Sequence, residues 1–318
     1  MTSCSLVPFA CVGRRVRSIA ETALRRSPAQ IVFRRRAANR LAVLAYHSVD
    51  EPRAFDRQLD YLVRSCTPVS LDAVRRAVLD GGPLPARPVL ITFDDADRTI
   101  LEHALPLLRD RRVPAIAFVV AGHLDGTQPF WWEEVAALMA KGATSSRFEV
   151  SAPDEMIRAL KLVPDDLRLE AMAELRGSAD APVEPVPQLR TSELAELIAG
   201  GVQIGNHSLS HPCLPRCRSE KLATEIRESH EMLTRAIGYA PAAFAYPNGD
   251  YDERVLERVR AVGYDLAFGF DHRIAVPPFP DRLRISRVRV SADASVDRLA
   301  TLVSGLHPSI THALGRAN

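Results

Sequence analysis

A chain of 318 residues, 47% hydrophobic and 25% charged, has ample material for the core of one large α/β domain and excludes a disordered or fibrous protein. A net charge of +2 gives no ground for a nucleic-acid partner, and five scattered Cys do not form a disulfide framework. No apolar run reaches the ~18 residues of a membrane-spanning helix.

The chain opens on a short apolar patch, Leu6 to Val12, with no preceding positive charge and no small-residue cleavage pattern. That argues against a secretory signal and for a cytoplasmic protein. Residues 13–40 carry nine Arg against the single acid Glu21. Residues 1–40 therefore read as a basic, solvated and partly disordered extension, with weak contact to a membrane surface as the alternative.

Leu41 to Tyr46 reads as a first strand ending at His47-Ser48. Ala54 to Ser65 has helical spacing, and Ser70 caps a second helix through Leu79. After the break at Gly81-Gly-Pro-Leu-Pro, Val89-Leu-Ile-Thr-Phe forms a buried strand running into Asp94-Asp95. A helix over Arg98 to Asp110 and a strand over Ala115 to Val120 follow. Phe130-Trp131-Trp132 introduces a helix over Glu133 to Lys141. Residues 144–190 hold two short helical patterns and a Pro-rich return, a helical insertion rather than a second domain. A helix from Thr191 to Ala199 precedes the strand Val202 to Gly205, which leads into Asn206-His207. Helix 218–237, strand Ala242 to Ala245, turn Tyr246-Pro-Asn-Gly249, helix Asp252 to Ala261 and strand Asp265 to Gly269 continue the alternation. Leu283 to Val290 and a helix from Ser295 close a domain over residues 41–305, leaving 306–318 as a tail. Repeated strand–helix units imply a parallel sheet, barrel or doubly wound.

Four polar clusters each follow a predicted strand: His47, Asp94-Asp95, His207 with His211, and Tyr246-Pro-Asn248-Gly249. In a parallel sheet all four gather on one rim. His207 and His211 are four apart, so one helical turn would turn both rings to the same face. One Asp and two His leave a coordination position for water, the pattern of a catalytic zinc site. The second carboxylate is then free to act as base.

Thr92-Phe-Asp-Asp95, His207-Ser-Leu-Ser-His211 and Phe244-Ala-Tyr-Pro-Asn-Gly249 resemble, in that order, the motifs of the polysaccharide deacetylases, the NodB-homology or carbohydrate esterase family 4 fold. The resemblance implies a distorted (β/α) barrel and metal-dependent removal of acetyl from an N-acetylated carbohydrate. By it Asp94 is the base, while Asp95, His207 and His211 hold a divalent metal, most simply zinc. The backbone N–H of Asn248, beside Tyr246, would bind the oxyanion. The usual late Leu-x-His is absent from Leu283-Arg-Ile-Ser-Arg-Val, and the opening Leu44-Ala-Tyr-His-Ser resembles a subgroup with permuted motifs, which makes His47 the acid. Trp131 and Trp132 are candidates for a sugar-stacking wall or, for one of them, the core.

Three departures stand out: Ala96 replaces the usual Gly, Ala245 stands where many members have an Arg that orients the base, and no Asp-x-x-Asp-Trp occurs. Arg287 is the candidate to replace that Arg in space. Two rival enzyme or metal readings remain at this stage. Asp95-Ala-Asp97-Arg-Thr99 also resembles the strand end of haloacid-dehalogenase-like magnesium phosphatases, and Cys213 with Cys217 could close a Cys2His2 zinc site. A degenerate, glycan-binding barrel is the non-enzymatic alternative.

Overall fold

The computed structural model describes residues 19–313. Seven strands lie in the order β7 (Leu266–Phe268), β6 (Ala243–Ala245), β5 (Val202–Asn206), β4 (Ala115–Val119), β3 (Pro88–Phe93), β1 (Ala42–Tyr46) and β8 (Val288–Arg289). The short β2 (Thr67–Pro68) pairs with the start of β3, and every ladder is parallel. Ile285 bridges Phe268 of β7, and three residues later Val288 pairs with Leu44 of β1. One segment thus touches both edges of the curled sheet and closes it, as expected of a distorted barrel.

Both faces of the sheet are apolar because successive strand residues feed different clusters. Leu44, Tyr46, Ile91, Phe93, Ala117, Val119 and Ile204 pack outward among helices, together with Phe55, Leu59 and Leu62 of the helix Pro52–Ser65. Val43, Leu90, Ile116, Phe118, Ala245 and Phe268 point the other way and fill the interior. This double burial explains the near-continuous apolar runs in the sequence. Ser70 caps its helix as expected, accepting from Ala73 N–H at 3.2 Å, and Asp252, expected as the first residue of its helix, is itself a cap, accepting from Val255 N–H at 2.9 Å.

Four elements differ from expectation. The helix over residues 98–110 forms, but it widens into a π turn over Ile100–Ala104 before Leu105–Arg111. Pro106 has no N–H to donate one turn back, and the wider turn accommodates it. The strand over 283–290 is reduced to β8 and the Ile285 bridge. The basic arm is not simply solvated from residue 19 on. Helix Pro28–Arg36 docks through Gln30, which donates to Ala300 O at 3.0 Å and accepts from Ser304 Oγ at 2.9 Å. Arg25 and Thr22 both reach Asp297. Finally, residues 306–313 form a helix with Leu306 and Pro308 buried, where a tail was expected. The Leu6 to Val12 patch lies outside the described residues. Among the described residues, no helix is long and apolar enough to cross a membrane.

Residues 144–190 do carry two helices, Pro153–Leu162 and Asp165–Ser178. They form their own apolar cluster with helix Trp131–Ala140. Gly205 of β5 leaves the space that the Phe118 ring occupies, since a Cβ there would lie 2.5 Å from the ring. Gly205→Ala should therefore overpack the interior and cost roughly 1–3 kcal/mol, read as a lower urea midpoint with unchanged slope.

Candidate active site

Because the strands run parallel, their C-terminal ends bring His47, Asp94-Asp95, His207 and the 246–249 turn to one rim. Asp95 Oδ1 lies 3.5 Å from His207 Nε2 and 3.4 Å from His211 Nε2. One donor atom from each of the three residues falls within 4.8 Å of the others. The Nδ1 of His207 is 2.8 Å from Ala245 O, a contact that requires the proton on Nδ1 and leaves the Nε2 lone pair facing Asp95. Burial pushes both imidazoles below their ordinary pKa, so they are neutral. Burial, reinforced by Asp94, Glu133 and Asp97, pushes Asp95 well above the usual carboxylate range. Its Oδ1 is buried without a hydrogen-bond partner. A buried carboxyl with an unpartnered oxygen, 3.5 and 3.4 Å from the Nε2 atoms of two neutral imidazoles, is a donor set that fits a metal ion.

The pair does not converge by a helical turn. Residues 207–211 form a loop in which Ser208 (φ 72°) and His211 (φ 54°) are left-handed, and His211 N–H donates to Ser208 Oγ at 3.0 Å. Asp95 (φ 67°) and Ala96 (φ 58°) are left-handed as well. The usual Gly at position 96 is thus replaced at a position that favours Gly, and each such residue stores about 1–3 kcal/mol.

Asp94 meets a different fate. Fully buried Arg287 grips it twice, Nη1 to Oδ1 at 2.6 Å and Nη2 to Oδ2 at 2.9 Å. Arg287 Nε donates to Gly269 O at 3.0 Å, and its guanidinium stacks between Phe118 and Phe270, 5.4 and 5.5 Å from their centroids. Burial alone would raise the Asp94 pKa; the Arg287 charge, helped by His207 and His47, instead holds it well below the ordinary value. The arginine absent at Ala245 is supplied in space from the closing segment.

His47 is half-buried, near enough to Asp94 to feel its charge, and burial lowers its pKa to about 4. Its ring packs edge-on to Phe270 at 6.4 Å. Trp132 meets His211 edge-on at 4.6 Å and stacks on Phe130 at 4.8 Å, which in turn stacks on His123 at 4.5 Å. Phe130 and His123 were not singled out from the sequence; the aromatic run at 130–132 was the available signal. Trp131 takes the core role. It is 7% exposed, donates Nε1–H to His211 O at 3.1 Å and lies under the buried Arg168. Tyr246 is not a substrate contact. Its ring is fully buried beside Phe244 and its hydroxyl donates to Leu283 O at 2.9 Å, away from the rim. Asn248 is left-handed (φ 56°) and its amide lies 3.4 Å from Cys213 Sγ, two residues past His211.

The rival constellations do not assemble. Asp97 Oδ1 caps Thr99, accepting its N–H at 2.8 Å and its hydroxyl, and Lys221 pairs with Glu225 at 2.7 Å. Among the described residues, no cysteine joins the Asp95–His207–His211 group, and burial pushes the Cys213 thiol up to about 11.

The sequence profile described as polysaccharide deacetylase matches residues 81–267. Poly-beta-1,6-N-acetyl-D-glucosamine N-deacetylase of Staphylococcus epidermidis is 21% identical over 213 residues, 67% of this chain and 58% of that protein. The protein of the same name from Staphylococcus aureus is 46% identical over 43 residues, 14% of this chain and 15% of that one. The matches thus span less than two thirds of these relatives. Among solved structures, the Streptococcus pyogenes deacetylase PplD in complex with acetate superposes with TM-score 0.60 at 19% identity, covering 84% of this chain and 99% of that one. IcaB from Ammonifex degensii gives TM-score 0.60 at 22% identity, with 84% and 97% covered. Both share the barrel fold.

Arg287→Met should leave Asp94 buried without its cation and destabilise the protein by about 3–5 kcal/mol. The Asp94 pKa is lower folded than the ~3.9 of the unfolded chain, so its contribution is full above that pH and fades as pH falls towards the folded value. In Arg287→Met burial instead raises the Asp94 pKa, so the variant takes up a proton and recovers stability as pH falls while wild type does not. In chelator-treated protein the gap in melting temperature should therefore shrink as pH is lowered from about 6 to 3.

Proposed function

The chain belongs to the polysaccharide deacetylase family, hydrolases of the amide bond in N-acetylated polysaccharides, and from that premise we propose that it removes acetyl groups from an N-acetylated amino-sugar glycan at the Asp95–His207–His211 site. The observation that carries the reading is the convergence of those three donors beside a carboxylate already neutralised by Arg287. Two imidazoles and one carboxylate suit zinc. Held by these three residues, zinc would polarise the acetyl carbonyl and lower the pKa of water.

The protein's own groups supply the rest. Asp94, ionised at neutral pH and fixed at both oxygens by Arg287, accepts the proton of the attacking water. The Asn248 backbone N–H donates to the oxygen that gains negative charge. His47 is neutral in the free protein at pH 7, with a pKa of about 4. Negative charge developing on the substrate raises that value, so the ring takes up a proton from solvent as the complex forms and passes it to the departing amine. The proton Asp94 took from water leaves to solvent after product release. Trp132, edge-on to His211, packs against the apolar face of the sugar. The two staphylococcal relatives are named for poly-beta-1,6-N-acetyl-D-glucosamine, so a β-1,6-linked N-acetylglucosamine oligomer is the first substrate to try.

Acetate release from such oligomers, abolished by chelator and restored by zinc, is the expected result. Asp95→Asn and His207→Ala should lose bound zinc. Asp94→Asn should keep zinc and lose turnover by about 10²–10⁴-fold; a variant as active as wild type would remove Asp94 as the base. His47→Ala should slow turnover at unchanged zinc content, and unaltered kinetics would remove His47 as the acid.

A further inference from the structure

We infer that Glu225 is a positioning residue that clamps the loop between His207 and His211 and so sets how tightly that loop holds a divalent cation. The inference rests on the metal-site reading above and adds a residue outside the ligand set.

Glu225 comes from the helix Ser219–Ile237 and is fully buried. Its Oε2 accepts the N–H groups of Leu209 at 3.0 Å and Ser210 at 2.8 Å. Its Oε1 accepts the Ser210 hydroxyl at 2.6 Å and the Lys221 ammonium at 2.7 Å. Leu209 and Ser210 are the residues between the two left-handed positions, Ser208 and His211. The carbonyl side of the same segment is held by Ala121 N–H to Ser208 O at 3.0 Å and Gly122 N–H to Leu209 O at 2.8 Å. Gly122 permits that approach, because a Cβ there would lie 2.5 Å from Leu209 O. The loop is thus gripped by a carboxylate on its donor side and by backbone on its acceptor side.

His211 depends on this grip more than His207 does. His207 follows directly from β5, and its ring is tied to Ala245 O. The His211 ring nitrogen Nδ1 has no hydrogen-bond partner among the described residues. Its Nε2 is therefore placed by the backbone beneath it, which is strained and would relax once released. A carboxylate suits the task because four donors converge on two oxygens, and an amide offers only one acceptor oxygen. Outer partners that orient metal ligands typically change affinity by about 10–100-fold when removed.

The test measures zinc affinity by competition with a chromophoric chelator, and the visible spectrum of cobalt-loaded protein, using the full chain. Glu225→Ala should raise the zinc Kd about 10–100-fold and shift the cobalt bands. Glu225→Gln, able to keep the two backbone bonds but not all four donors, should raise it less, by about 10-fold. Ile226→Ala, a fully buried apolar neighbour on the same helix, should lower the melting temperature and leave the zinc Kd and the cobalt spectrum unchanged. Glu225 variants binding within about twofold of wild type, or Ile226→Ala weakening zinc equally, overturn the inference; if Glu225→Ala does not fold, Glu225→Gln decides on the same criterion. Wild-type protein that takes up neither zinc nor cobalt would instead sink the metal-site reading, and the inference with it.

Discussion

Two adjacent carboxylates at the end of a buried strand are the constraint around which this molecule is arranged. Each would be too costly to bury as an isolated charge. Asp94 is compensated from within the protein, by a guanidinium that meets both of its oxygens and is itself sandwiched by aromatic rings. Asp95 is left with an unpartnered oxygen facing two imidazole nitrogens. The same chemical group, repeated at consecutive positions, therefore acquires two opposite electrostatic states. One carboxylate is held ionised by Arg287, and burial pushes the other well above the usual carboxylate range.

The barrel supplies both solutions through its closure. Arg287 lies between the bridge at Ile285, which joins one edge of the sheet, and the pairing at Val288, which joins the other. A residue in that position is turned to the interior, where Arg287 passes between Phe118 and Phe270 to reach Asp94 at the end of β3. The cost of regular pairing lost along 283–290 is offset by a charge-assisted bidentate bond in a low-dielectric interior. Backbone strain gathers at the rim as well as at turns elsewhere: Asp95, Ala96, Ser208, His211 and Asn248 are all left-handed and all line the rim. Such strain persists where surrounding structure over-determines it, as it does here through Glu225, Trp131 and the Ala121–Gly122 backbone.

The helical insertion acts on the site indirectly. Asp165 and Arg168 form a buried pair, and Arg168 covers the face of Trp131, whose indole holds the His211 carbonyl. Trp132, one residue on, faces outward and touches the His211 ring. Adjacent tryptophans thus divide between support and surface, because consecutive helix residues point about 100° apart.

The sequence alone determined the parallel alternation of strands and helices, because apolar runs and a cap such as Ser70 are local signals. It also singled out Asp95, His207 and His211, whose donor atoms the fold brings within 4.8 Å of one another, since each polar cluster directly follows an apolar strand and parallel strands must end on one rim. Tertiary structure alone decided the partner of Asp94. Arg287, the sequence candidate for that place, is 193 residues away in the chain, and no local pattern shows which way its side chain turns. Only the folded chain could show that Tyr246 turns into the core, that the two histidines meet through a strained loop rather than a helical turn, and that the arm from residue 19 docks onto the last helices. Spacing along the sequence fixes which residues are neighbours on a regular element. Where a loop bends or a barrel closes, side-chain direction is set by contacts that local spacing does not encode.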